Sequence, residues 1–173
     1  MTSTSGPPAP PGTHLYAVAL GSNRPLARGA GPIAIVRAAF AALDEAPLRL
    51  IARSRILTSR PIGPSRRSYA NAAALVESML PPLAMLDHLQ AIERRFGRRR
   101  HRRWGARTLD LDLLLWSGGK VDHRRLTIPH AAMAERDFVL LPLRDIAPDW
   151  RDPRTGRTMK QLAVRLARTQ PAR

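Results

Sequence analysis

An α+β fold, with helices packed on a mostly antiparallel sheet, is predicted for this 173-residue chain. Three observations carry the prediction. Short apolar segments have the length and composition of strands, and two longer segments carry apolar residues at the three-and-four spacing of one buried helix face. Their order is β, α, β, β, α, β, the ferredoxin-like βαββαβ arrangement.

The first strand is Leu15 to Leu20, an apolar run that enters a tight turn at Gly21-Ser22-Asn23. After a loop, Ile33, Val36, Phe40 and Leu43 mark a helix, with Pro47 beyond its end. Leu48 to Thr58 alternates loosely and is rich in β-formers, which predicts a strand. A loop at 60–68, carrying Pro61, Gly63 and Pro64, separates it from the strand Tyr69 to Glu77. Pro81-Pro82 suits a helix start, Met85, Leu89, Ile92 and Phe96 form its stripe, and Gly97 ends it. An arginine-rich loop at 98–107 leads into a strand at Leu109 to Trp116 and a turn at Ser117 to Lys120. Further helices are predicted near Phe138 and Met159, joined by a turn-rich stretch around Trp150 to Thr155. Residues 1–13, rich in Ser, Thr, Gly and Pro, are expected as a disordered tail, and 14–173 as a single domain.

Composition narrows the function classes. There are no cysteines, so disulfides, thiolate metal sites and a cysteine nucleophile are excluded. No signal peptide or membrane-length apolar run is visible, so a cytoplasmic protein without a membrane partner is expected. The formal net charge is +16, and of 29 basic residues only Lys120 and Lys160 are lysine. Such a surface suits anionic partners. One alternative is a basic RNA-binding α+β protein without catalytic activity, with Arg94 to Arg107 as its patch.

The chemistry concentrates at Leu109-Asp110-Leu111-Asp112-Leu113-Leu114-Leu115. Strand alternation sends the odd-numbered leucines to one face and Asp110 and Asp112 to the other, about 7 Å apart along the backbone. Two carboxylates so placed can converge on hard cations such as Mg²⁺ that also bind phosphate oxygens. On its own, Asp-x-Asp is more often the wet face of an amphipathic strand. Arg98, Arg99, Arg100, Arg102, Arg103 and Arg107 precede it, however, and arginine grips phosphate bidentately. Carboxylates for metal beside arginines for phosphate are what a nucleoside triphosphate requires. Neither a P-loop motif nor a dinucleotide-binding fingerprint is present, so side chains must hold the phosphates.

The segment Arg103-Trp104-Gly105-Ala106-Arg107-Thr108-Leu109-Asp110-Leu111-Asp112 closely resembles the signature of the 6-hydroxymethyl-7,8-dihydropterin pyrophosphokinases of folate synthesis. Ala19-Leu20-Gly21-Ser22-Asn23, Pro61-Ile62-Gly63-Pro64, Tyr69-Ala70-Asn71-Ala72, Leu126-Thr127-Ile128-Pro129-His130 and Arg136-Asp137-Phe138-Val139 follow in the family's order. Ala106 stands where the signature has proline, and Ser59, Arg60 and Ala131 are further departures.

The resemblance implies transfer of pyrophosphate from ATP to the pterin, giving the pterin diphosphate and AMP, with two Mg²⁺ ions held by Asp110 and Asp112. It implies that Arg98 and Arg100 close over the triphosphate, with Arg103, Trp104 and Arg107 near the nucleotide and the transferred group. Gln90, Glu93, Leu113, Arg125, Thr127, His130 and Arg136 correspond to further ATP contacts. The pterin is expected between Tyr69 and Phe138, with Asn71, Ser59, Arg60, Ile62, Trp104 and Asp110 completing its site. ATP and a reduced pterin would be the only partners, no nucleic acid is expected, and nothing in the sequence requires more than a monomer.

Overall fold

The computed structural model describes residues 11–23, 29–59, 69–97 and 108–169. Its elements are β1 (His14–Ser22), α1 (Pro32–Ala42), β2 (Leu48–Arg53), β3 (Leu57–Ser59), β4 (Tyr69–Ser78), α2 (Pro82–Arg95), β5 (Asp110–Trp116), β6 (Val121–His123), β7 (Leu126–Ile128), α3 (Asp137–Ile146) and α4 (Met159–Thr169). The main sheet runs β2-β4-β1-β5, every pairing antiparallel, with β3 also on β4. β1, α1, β2, β4, α2 and β5 are thus the predicted ferredoxin-like core. The expected tail lies mostly outside the described residues.

Both faces of the sheet are covered. On one, Tyr16, Val18 and Leu20 of β1 meet Ala72, Ala74 and Val76 of β4 and Leu111 and Leu113 of β5, beneath Val36 and Phe40 of α1 and Met85, Leu89 and Ile92 of α2. On the other, Ala17, Ala19, Ala73 and Leu75 pack against Leu140 and Leu143 of α3 and Met159, Leu162 and Ala163 of α4. Alanines dominate the inward positions of β4, and their small side chains let helix and sheet approach closely on both sides.

Local sequence explains the helices. Proline stands at the first turn of α1 and α2, where its missing N–H is no loss. α2 carries Arg94 and Arg95 in its last turn, favourable against the carbonyl end of the dipole, and Gly97 follows in the left-handed region with φ 77°. α4 opens on a reciprocal capping box: Thr158 N–H donates to Gln161 Oε1 at 3.0 Å, and Gln161 N–H to Thr158 Oγ1 at 3.2 Å.

Four features depart from the sequence reading. Ile33, expected in the buried stripe of α1, is 41% exposed, and Ile35 is buried in the core instead. The strand expected over Leu48 to Thr58 is broken into β2 and β3 at Ser54, whose Oγ accepts the Ala73 N–H at 2.9 Å and donates to the Arg55 carbonyl at 2.7 Å. The β6–β7 hairpin was not anticipated; three-residue strands leave almost no periodic signal. Leu115, expected on the same face as Leu111 and Leu113, lies on the opposite one. Val18 pairs with Leu113 and Ala17 with Leu115, so Leu114 is an inserted bulge residue, and Leu114 and Leu115 both join the α3/α4 core.

Candidate active site

Asp110 and Asp112 project from the first half of β5 on the α3/α4 side, both partly exposed. Their cross-strand neighbours on β1 are Gly21 and Ala19. Gly21 also pairs with Asn71 of β4, so Asn71, Gly21 and Asp110 form one row across three strands. A Cβ built on Gly21 would lie 3.5 Å from Asn71 Oδ1 and 4.0 Å from Asp110 Cβ. Glycine therefore leaves a shallow floor flanked by an amide and a carboxylate. β3 extends the row, since Leu57 pairs with Asn71, and Ser59 pairs with Tyr69 one pleat further along.

Tyr69 and Phe138 are 36% and 39% exposed, so neither is the core aromatic that a bland reading of the sequence would make it. Tyr69 opens β4 two residues before Asn71 and so shares its face. Phe138 lies in the first turn of α3, and the guanidinium of Arg136 sits 5.9 Å from its ring centroid.

The other expected nucleotide residues lie around the outer edge of β5. α2 ends beside it, bringing Gln90, partly exposed, and Glu93, 2% exposed. Glu93 is no ordinary exposed helix position: its Oε1 accepts the backbone N–H of Leu111 at 2.8 Å. Leu113 is buried at 3% exposure, in the α1/α2 core. Arg125 and Thr127 belong to the β6–β7 hairpin and are exposed, with Leu126 and Ile128 anchoring it in the α1/α2 core. Arg125 pairs with Asp87 on α2, a partner the sequence reading missed although it stands one turn before Gln90. His130 donates its backbone N–H to the bulge carbonyl of Leu114 at 3.0 Å, and its Nδ1 accepts the Ala132 N–H at 3.3 Å. With Nδ1 accepting, the neutral ring carries its proton on Nε2.

Arg60, Ile62, Arg98, Arg100, Arg103, Trp104 and Arg107 lie outside the described residues, as does the Ser59 side chain. Among the described residues, no group of three or more metal-ligating side chains gathers, and no helix is long and apolar enough to cross a membrane. The donor set fits a divalent cation nonetheless. Mg²⁺ is commonly held by one or two carboxylates with water and substrate phosphates completing its shell, and nothing larger than a methyl rises from β1 beside this pair.

Residues 17–148 match the family model for 7,8-dihydro-6-hydroxymethylpterin-pyrophosphokinase (HPPK). Relatives named 2-amino-4-hydroxy-6-hydroxymethyldihydropteridine pyrophosphokinase include one from Pseudomonas aeruginosa, 46% identical over 84% of this chain and 87% of its own length. Another, from Haemophilus influenzae, is 44% identical over 76% of this chain and 81% of its own. One from Synechocystis is 49% identical over 60% of this chain, and the match spans about half of that relative, 53%. Among solved structures, an HPPK-DHPS in complex with substrates aligns with a TM-score of 0.68 at 14% identity, over 90% of this chain and 44% of that one. The Plasmodium falciparum HPPK-DHPS aligns with a TM-score of 0.67 at 14% identity, over 88% and 44%. These two carry the fold, the curated relatives and the family model carry the lineage, and the chain belongs to the 7,8-dihydro-6-hydroxymethylpterin-pyrophosphokinase family.

Proposed function

We propose that this chain transfers the terminal diphosphate of ATP to the hydroxymethyl group of 6-hydroxymethyl-7,8-dihydropterin, releasing AMP, as a step of folate synthesis. Family membership supports the reaction, and the observation in the structure that carries it is the Asn71, Gly21, Asp110 row with Asp112 one pleat behind.

The hydroxymethyl oxygen attacks the β-phosphorus, the bond from that phosphorus to the oxygen bridging the α-phosphate breaks, and AMP leaves. Tyr69 and Phe138 offer aromatic faces to the flat pterin, and Asn71 pairs its amide with the ring's donor and acceptor edge. Ser59, Arg60, Ile62 and Trp104 complete that side. Asp110 and Asp112 would hold two Mg²⁺ ions. Bound there, such ions would neutralise charge on the phosphate oxygens and fix the substrates in line. The chain does the rest by placement. Gln90, Arg125, Thr127 and Arg136 position the nucleotide, Leu113 offers backbone groups, and His130 can donate from Nε2 to a phosphate oxygen. Arg98, Arg100, Arg103 and Arg107 supply permanently charged donors for the triphosphate as charge spreads in the transition state. The protein acts as a cytoplasmic monomer, with no nucleic acid or membrane partner.

The test is AMP release from ATP and 6-hydroxymethyl-7,8-dihydropterin, with and without Mg²⁺. AMP that appears only with all three present is the expected result. A well-folded protein that releases none would refute the reaction, and salt-sensitive RNA binding by the same preparation would turn the +16 charge toward the RNA-binding alternative.

A further inference from the structure

We propose that Glu93 is a positioning residue, which sets the placement of Asp110 and Asp112 through the backbone amide between them. The inference rests on the reading of those aspartates as the metal pair.

Among the described residues, β5 is an outer strand of the sheet and pairs with β1 alone. Its other edge presents backbone groups that the ladder does not satisfy. The Leu111 N–H points to that edge, because it donates to Glu93 Oε1 at 2.8 Å. Successive residues of a strand alternate in the side to which their backbone groups turn, so those of Asp110 and Asp112 turn toward β1. Leu111 is thus held at three points. Its side chain is buried against the α1/α2 core, β1 pairs with its two flanking residues, and Glu93 fixes its amide from outside.

Two features make this more than an ordinary capping contact. Glu93 is 2% exposed, and a buried carboxylate is retained only where its interactions offset the loss of water. The bulge at Leu114 interrupts the β1–β5 register shortly after Asp112, where a strand most easily shifts. An anchor at Leu111 holds the aspartate-bearing half of β5 against that freedom. The effect is that of an outer-sphere partner, which orients metal ligands without touching the metal.

The experiment uses the full chain, Mn²⁺ as the probe and α,β-methylene-ATP, whose bridging carbon prevents cleavage. Mn²⁺ affinity is measured by electron paramagnetic resonance, and exchange of the Leu111 amide by NMR. Glu93→Gln keeps an oxygen acceptor, whereas Glu93→Met keeps the volume and loses it. Glu93→Gln should bind Mn²⁺ within about threefold of the unsubstituted protein, and Glu93→Met about 10–100-fold more weakly with faster Leu111 exchange. A loss of about tenfold in Glu93→Gln overturns the proposal by itself, including where Glu93→Met does not fold. So does Glu93→Met if Leu111 exchanges faster while Mn²⁺ binding is unchanged. Asp110→Ala and Asp112→Ala separate the two ideas. If they bind Mn²⁺ normally, the metal reading fails; if they lose it and Glu93→Met does not, only the role of Glu93 fails.

Discussion

Gly21→Ala tests the substrate floor with the smallest possible change. The new methyl would sit 3.5 Å from Asn71 Oδ1 and 4.0 Å from Asp110 Cβ, which is ordinary van der Waals contact, and Gly21 has a backbone conformation open to any residue. The fold need not adjust. Removing glycine from a strand interior should stabilise the protein by about 0.5–1 kcal/mol, which raises Tm by about 1–4 °C for a chain of this size. The substrate meets a different situation, because the methyl fills space between the two groups proposed to flank it. Inserting a methyl into a fitted contact costs about 1–3 kcal/mol, equivalent to about 5–150-fold in kcat/KM. The expected outcome is a loss of that size in kcat/KM for the pterin, a KM for ATP that barely moves, and a Tm that does not fall. AMP release across a range of pterin concentrations, paired with scanning calorimetry, measures all three. Unchanged kcat/KM for the pterin in a stable variant would mean that the substrate does not lie over Gly21, and the placement between Asn71 and Asp110 would have to be abandoned.

Asp110→Ala and Asp112→Ala should each lower kcat by more than about a hundredfold, while circular dichroism shows a folded chain; near-normal turnover in either would remove it from the metal pair. Ser54→Ala takes the acceptor from the buried Ala73 N–H and should destabilise the protein by about 1–3 kcal/mol, read as a lower Tm with kcat little changed at 25 °C. Gly118→Ala would put a methyl 2.3 Å from Cζ2 of Trp116, so the indole must move. A loss of about 1–3 kcal/mol and a shift in tryptophan emission are expected, and an unchanged Tm would contradict the packing at that turn.

The sequence disclosed the elements whose residues repeat with a clear period. Val36, Phe40 and Leu43 are buried at α1, and Met85, Leu89 and Ile92 fall on the inner side of α2, because burial of one stripe is what holds a helix to a sheet. The strand break at Ser54 was not legible, since it depends on a hydroxyl replacing a ladder partner across β4. Nor was the bulge at Leu114: a run of leucines reads equally well in either register, and only pairing with β1 decides it. Asp110, Asp112 and Asn71 lie on one face of the sheet, as strand alternation requires. Glu93 was different. Helical spacing put it near the Ile92 face but could not say that the neighbouring edge of β5 left an amide to be met, which is a fact of tertiary placement.

The rows across the sheet mark where the apolar core gives way to the candidate site. On the α3/α4 face, successive rows across β4, β1 and β5 are Leu75, Ala17 and Leu115, then Ala73, Ala19 and Asp112, then Asn71, Gly21 and Asp110. Apolar bulk shrinks from row to row: Asp112 replaces it on β5 in the second row and Asn71 on β4 in the third, while the central strand falls from alanine to glycine. Helices α3 and α4 need apolar contact and so cover the first rows. Were the same residues paired with β1 without a bulge, strict alternation would turn Leu115 to the α1/α2 side and leave the α3/α4 core without one of its buried leucines. The bulge lets two successive leucines, Leu114 and Leu115, join the α3/α4 core on the face that carries the two carboxylates at the start of the strand. Deleting Leu114 would leave Leu115 opposite Ala17 and both aspartates on their present face, so it should cost the α3/α4 core one buried leucine, read as a lower Tm, while the aspartate pair keeps its side of the sheet.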